Sequence, residues 1–293
     1  MRAPTFYRFS VLALAILASV FAVACGDDDD AGSAGGRIGG SMILATTTST
    51  DDSGLLDVLV PLFRDKTGIE VKVVAVGTGA ALEMGGKGNA DAVLAHAYQA
   101  EQEYVKSGDL VEGRLVMHND FVLVGSASDP AGVRKAGNLD DAMRAIAASG
   151  SFVSRGDDSG THKSELALWK AAGIDVAGIG SREETGQGMG ATLNVADQRN
   201  AYTLTDRATY LALKENLDLE VLFEGARPLL NIYHVYVVNP TKHSGVRAEQ
   251  ARAWVEFLVA DETQKVIGEF GVEQFGEPLF VPDAGKSLES LGQ

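Results

Sequence analysis

Asp120 to Gly125, D-F-V-L-V-G, and Asn231 to Asn239, N-I-Y-H-V-Y-V-V-N, are the two stretches on which the fold turns. Both are long apolar runs that differ from the rest, and they bracket one of the chain's two sets of alternating strands and helices. Before the first run the pattern predicts a strand at Met42 to Ala45, a helix at Leu55 to Lys66 kinked by Pro61, and a strand at Glu70 to Val76. A helix at Ala80 to Gly85, a strand at Ala92 to Ala95 and a helix at Gln99 to Ser107 follow. Between the two runs lies a second α/β set. Its helices fall at 139–148, 161–172, 190–198 and 207–216, and its strands at 152–154, 201–204 and 219–223. Two further helices, 246–259 and 262–270, close the chain. The economical arrangement is an α/β protein of two lobes, with the two apolar runs as crossover strands. A single large sheet is the alternative, and roughly 250 residues favour two lobes.

The ends of the chain bound its compartment. Arg2 and Arg8 precede an apolar run from Phe9 to Ala24, short of the ~20 residues a membrane helix needs, so residues 1–24 read as a signal peptide. Cys25 is the only cysteine, which rules out an internal disulfide. Its place after Ala22, Val23 and Ala24 resembles a bacterial lipoprotein cleavage site, with Ala22 where such sites usually carry Leu. A lipid on Cys25 would tether the protein outside the cytoplasmic membrane; a plain cleaved signal would leave a free thiol. Residues 25–41 are too polar and glycine-rich to fold and read as a leash. The expected division is then residues 42–120 plus 238–293 in one lobe and 121–237 in the other.

Removal of residues 1–24 takes away Arg2 and Arg8 and no acid, leaving 23 basic against 40 acidic residues. That balance argues against nucleic acid as a partner. It does not exclude an anion, because repulsion between exposed charges is screened within ~8 Å at physiological salt, and affinity comes from local donors. The histidines at 96, 118, 162, 234 and 243 lack metal-ligand spacing, so neither a protein-held metal nor a cofactor is expected.

Ligands of open α/β sheets sit beyond the carboxyl ends of strands. At four such ends the chain carries Thr46 to Thr50 (T-T-T-S-T), Gly77 to Gly79 (G-T-G), Ser154 to His162 (S-R-G-D-D-S-G-T-H), and Thr205 with Arg207. The third block puts one cation and several neutral donors at the start of a helix, which is how a protein holds a small oxyanion. Each block also has an ordinary use: Ser and Thr cap helices, and G-T-G makes turns. Three hydroxyl- or glycine-rich helix starts together with an arginine make a convergent site.

These blocks, with H-N-D-F-V-L-V-G, G-Q-G-M-G-A-T-L-N and A-Y-T-L-T-D-R, carry a resemblance. From about Met42 to Asp283 the chain resembles the tungstate-binding components of bacterial ABC uptake systems. The resemblance implies a type II periplasmic-binding-protein fold, each lobe a central sheet flanked by helices, closing on one oxyanion, tungstate or molybdate. Carried over by motif, the pocket is Thr47, Thr48, Ser49, Thr78, Gly79, Arg155, Ser159, Gly160 and Thr161, with Thr205 and Arg207 as secondary candidates. The partners implied are a permease and an ATPase subunit, with the binding protein a monomer and no enzyme.

Phosphate is the nearest rival, since phosphate-binding components of similar transporters also carry an arginine followed by S-G-T. A phosphate that keeps a proton gains from a carboxylate acceptor, which Asp51, Asp52, Asp157 or Asp158 could supply. A hydrolase is disfavoured, because D-D-S-G around Ser159 lacks the G-x-S-x-G elbow and His162 shares the same helix start. Tungstate and molybdate are too alike for sequence to rank.

Overall fold

The structure is a computed structural model and describes residues 38–291. The chain enters through β1 (Ser41–Thr47), the single turn α1 (Thr48–Asp52) and α2 (Leu55–Thr67). Then come β2 (Glu70–Val76), α3 (Thr78–Gly86), β3 (Ala92–Ala95) and α4 (Tyr98–Ser107). The strand β4 (Leu110–Ser126) follows, 17 residues long. The second α/β set is α5 (Leu139–Ser149), β5 (Ser151–Ser154), α6 (Gly160–Ala171), β6 (Ser181–Glu184) and α7 (Met189–Arg199). It ends with β7 (Thr203–Asp206), α8 (Arg207–Leu213) and β8 (Leu219–Phe223). The chain returns in β9 (Leu230–Val238) and finishes with α9 (Ala248–Val259), α10 (Asp261–Glu269), α11 (Val272–Phe275) and β10 (Val281–Pro282).

β4 belongs to two sets of strands. Its first part pairs antiparallel with β9 and β10, and β9 pairs in turn with β3, which lies parallel to β1 and then β2. From Phe121 onward β4 leaves β9 and pairs antiparallel with β7 and β8. The mixed α/β class is as the sequence implies. β9 lies between β3 and β4, its residues Asn231–Val238 all buried, and at its start Leu230 is the partner of Asp120.

Buried side chains follow the same division. Around β1, β3 and β9 pack Leu44, Leu59, Phe63, Tyr233, Trp254 and Phe280. Around the far part of β4 pack Phe121, Phe152, Trp169, Tyr202 and Leu229. Each set holds a perpendicular aromatic pair, Phe63 on Trp254 at 5.0 Å between ring centres and Phe152 on Trp169 at 5.1 Å. α2 runs unbroken through Pro61 and buries Leu55, Leu56, Leu59 and Phe63, so packing of its apolar face holds it together despite the lost N–H.

Phe63 is wholly buried between Trp254 and Phe257. Truncation to alanine removes both ring contacts and leaves a cavity, a loss of about 3–5 kcal/mol. Equilibrium unfolding of Phe63→Ala in denaturant reads that loss directly; a change under about 1 kcal/mol would contradict this packing.

Candidate functional site

The candidate site lies where the first turns of α3 and α6 meet. Gly77 precedes α3 without a side-chain cap, and Thr78, the first helical residue, is fully buried. Ser159 caps α6, its hydroxyl accepting from His162 N at 3.2 Å, and Thr161 is 2% exposed. A Cβ added at Gly160 would stand 3.1 Å from Thr78 Oγ1 and 2.6 Å from His96 Cε1. One added at Gly79 would stand 2.9 Å from Asp158 Oδ2. Glycine at both positions lets the loop before α6 come down on the start of α3. Among the described residues, Thr78 Oγ1 and Thr161 Oγ1 are buried with no hydrogen-bond partner. A buried hydroxyl left so costs about 1–3 kcal/mol, and two beside two helix starts mark a place made for an acceptor.

Arg155 supplies the cation. It is 3% exposed, and its Nε and Nη2 donate to Asp157 Oδ2 at 3.1 and 2.6 Å. No hydrogen bond among the described residues involves Nη1. Burial raises the Asp157 carboxyl, but hydrogen bonds from Ser159 and the charge of Arg155 outweigh it and hold the group below its usual range. The loop is turned by left-handed Gly156 (φ 61°) and Asp158 (φ 58°), and Asp158 is tied to Lys163. Behind it Arg182 bonds Glu165 and Ser154, each at 3.0 Å, bracing the end of β5. Asp52 lies toward this cation; burial and then Asp51 raise its carboxyl, while Arg155 opposes them.

The T-T-T-S-T block stands at the end of β1. Thr47 caps α1, its Oγ1 accepting from Thr50 N at 3.3 Å and lying 2.7 Å from Thr50 Oγ1. Thr47 and Ser49 both reach His96 Nε2, at 3.0 and 3.2 Å. Thr48 opens α1, half-buried.

Thr205 and Arg207 do not join this cluster. Thr205 is buried and its hydroxyl donates to the Asp206 carbonyl at 3.0 Å. Arg207 makes a two-point pair with Asp120, 2.7 Å at each nitrogen, and also pairs with Glu224. A guanidinium so paired braces the crossing of β4 and offers little to an anion near α6. Asp206 caps α8 through Thr209 N at 2.9 Å, and burial raises its carboxyl.

His96 is the residue that motif reading missed. It is 5% exposed, stacked on Tyr233 at 4.7 Å between ring centres, with Nδ1 2.8 Å from Asn231 Oδ1. It stands directly after β3, so the strand-end rule applied to A-V-L-A-H would have found it.

A mixed α/β fold with a central sheet flanked by helices is the architecture of solute-binding proteins. The chain belongs to the PBP superfamily, whose domain matches residues 26–262, and within it to the TupA tungstate-binding proteins. It is 50% identical over 240 residues to the tungstate-binding protein TupA of Peptoclostridium acidaminophilum, covering 81% of this chain and 84% of that protein. The solved structure of the tungstate ABC transporter from Geobacter sulfurreducens is 45% identical and superposes with a TM-score of 0.72, covering 78% of this chain and 98% of that one. TupA from Desulfovibrio alaskensis G20 is 43% identical, also with a TM-score of 0.72, over 83% of this chain and 99% of that one.

Burial drives His96 down from 6.5 to about 4, with Glu101 and Asn231 opposing and Arg155 adding to the drop. The unfolded chain therefore takes up a proton that the folded chain refuses. Stability is fully present above pH 6.5 and falls as pH drops toward 4, by on the order of 3 kcal/mol from this residue. Unfolding followed from pH 7 to 4 should show that slope, flattened in His96→Gln; an equal slope in both would contradict a neutral buried ring.

Proposed function

We propose that this chain captures tungstate by closing two lobes over it, the lobes dividing at Asp120 and Leu230. The observation that carries the reading is the meeting of two helix starts over Thr78 Oγ1 and Thr161 Oγ1, both buried without a protein partner. A tetrahedral dianion accepts hydrogen bonds and donates none. Thr78, Thr161, the free edge of Arg155 and the first N–H groups of α3 and α6 are all donors. Hydrogen bonds to a charged group contribute roughly 1.5–3 kcal/mol each, so about six of them supply the ~12 kcal/mol of nanomolar binding after ordering costs. The loop carboxylates are engaged, Asp157 by Arg155 and Asp158 by Lys163, which suits a ligand without a proton better than phosphate.

The anion touches both lobes only when they are closed, so it favours that state by its differential affinity. The closed shape is what a permease would read, with ATP hydrolysis on a separate subunit and no turnover at this site. The relatives named as tungstate-binding proteins support the ligand, and molybdate fits the same donors. The protein acts as a monomer outside the cytoplasmic membrane, held by a lipid on Cys25; that residue and the signal peptide lie outside the described residues.

Calorimetric titration of residues 41–293 with tungstate, molybdate, sulfate and phosphate tests the reading. Tight tungstate binding with sulfate and phosphate silent is expected, and Arg155→Ala should weaken it at least tenfold with the fold intact. Phosphate binding, or an unchanged affinity in Arg155→Ala, would contradict it.

A further inference from the structure

We propose that His96 is a positioning residue for the bound oxyanion: it sets the hydroxyls of Thr47 and Ser49 and is itself set by Asn231 and Asn119, where the two crossover strands meet. This rests on the oxyanion reading of the site.

The connections are continuous. Asn119 and Asn231 are register partners in the β4 and β9 ladder, one residue before the crossing at Asp120 and Leu230. Their side chains bond each other, Asn231 Nδ2 to Asn119 Oδ1 at 2.7 Å, and Asn231 also donates to Tyr233 Oη at 3.1 Å. Asn231 Oδ1 meets His96 Nδ1, and His96 Nε2 meets Thr47 and Ser49. All five polar side chains are buried, at 2% to 5% exposure. The Cε1 and Nδ1 edge of the ring lies under Gly160, at the start of the helix that brings Thr161 into the site.

A neutral imidazole donates from one nitrogen and accepts at the other. Whatever Asn231 presents to Nδ1 therefore fixes what Nε2 presents to the two hydroxyls, and so which way their protons turn. Tyr233 holds the ring plane. The first hydroxyls of the site are thus oriented from the hinge, and a twist at the crossing reaches them through three side chains.

The two amides that imitate imidazole separate this role from packing. Gln places a polar atom where Nε2 stands; Asn places one where Nδ1 stands. Tungstate titrations of wild type, His96→Gln and His96→Asn, with thermal melts of each, should give Gln within about threefold of wild type and Asn at least tenfold weaker at a similar melting temperature. Equal affinities in the two variants, or losses that follow melting temperature alone, would overturn the proposal. Asn231→Ala, which touches no proposed ligand donor, adds a second reading. It should weaken binding about fivefold in wild type and have no further effect in His96→Asn, whereas independent losses would overturn the link to the hinge. A wild-type protein that binds no oxyanion would overturn the functional reading beneath it, whereas wild-type binding with matched variants overturns only the role of His96.

Discussion

The approach of Gly160 to Thr78 and His96 is the contact that the rest of the structure serves. It brings the start of α6 against the start of α3 with no Cβ between them, and buries the hydroxyls of Thr78 and Thr161 where no acceptor among the described residues answers them. Leaving such groups unpaired is costly, so the arrangement makes sense around an acceptor that arrives from outside. The Arg155 and Asp157 pair keeps the loop in place and turns one edge of the guanidinium away from the carboxylate. Arg182, Glu165 and Ser154 hold the strand end from which that loop leaves.

An acidic protein that binds an anion is consistent on this view. The formal charge of −15 is spread over an exposed surface, where water and salt screen it. The proposed site acts at hydrogen-bond range, where two helix starts, buried hydroxyls and one buried arginine would outweigh distant carboxylates. Burial helps twice: it strengthens each donor and keeps His96 uncharged, so its ring can serve as a hydrogen-bonding relay with no charge of its own.

Much of the fold was legible because strand and helix periods differ and because each strand end is marked by glycine or hydroxyl residues. S-R-G-D-D-S-G-T reads as a helix start with a cation, and the structure brings Arg155, Ser159, Gly160 and Thr161 together there. Less legible was β4, whose first half is interrupted by the exposed Glu112, Gly113 and Arg114, where its register with β9 shifts, and so lacks an apolar run. The place of β9 between β3 and β4 was hidden because a central strand buried on both faces looks the same whichever strands flank it. Asn119 stands between His118 and Asp120 and Asn231 among apolar residues, so neither stands out in the sequence; the β4 and β9 register and the hydrogen bond to His96 join them only in the fold. The pairing of Arg207 was hidden for a related reason: its partners Asp120 and Glu224 are distant in sequence and near only after folding.

The central claim is a place, the space between the first turns of α3 and α6. Crystals grown with sodium tungstate and measured at the tungsten absorption edge would locate the metal atom without reference to any assumed pose. The account predicts one dominant anomalous peak with tungstate oxygens within hydrogen-bond distance of Thr78 Oγ1, Thr161 Oγ1 and Arg155. A peak elsewhere, such as the groove between α4 and α6 lined by Tyr98 and Lys163, would contradict it.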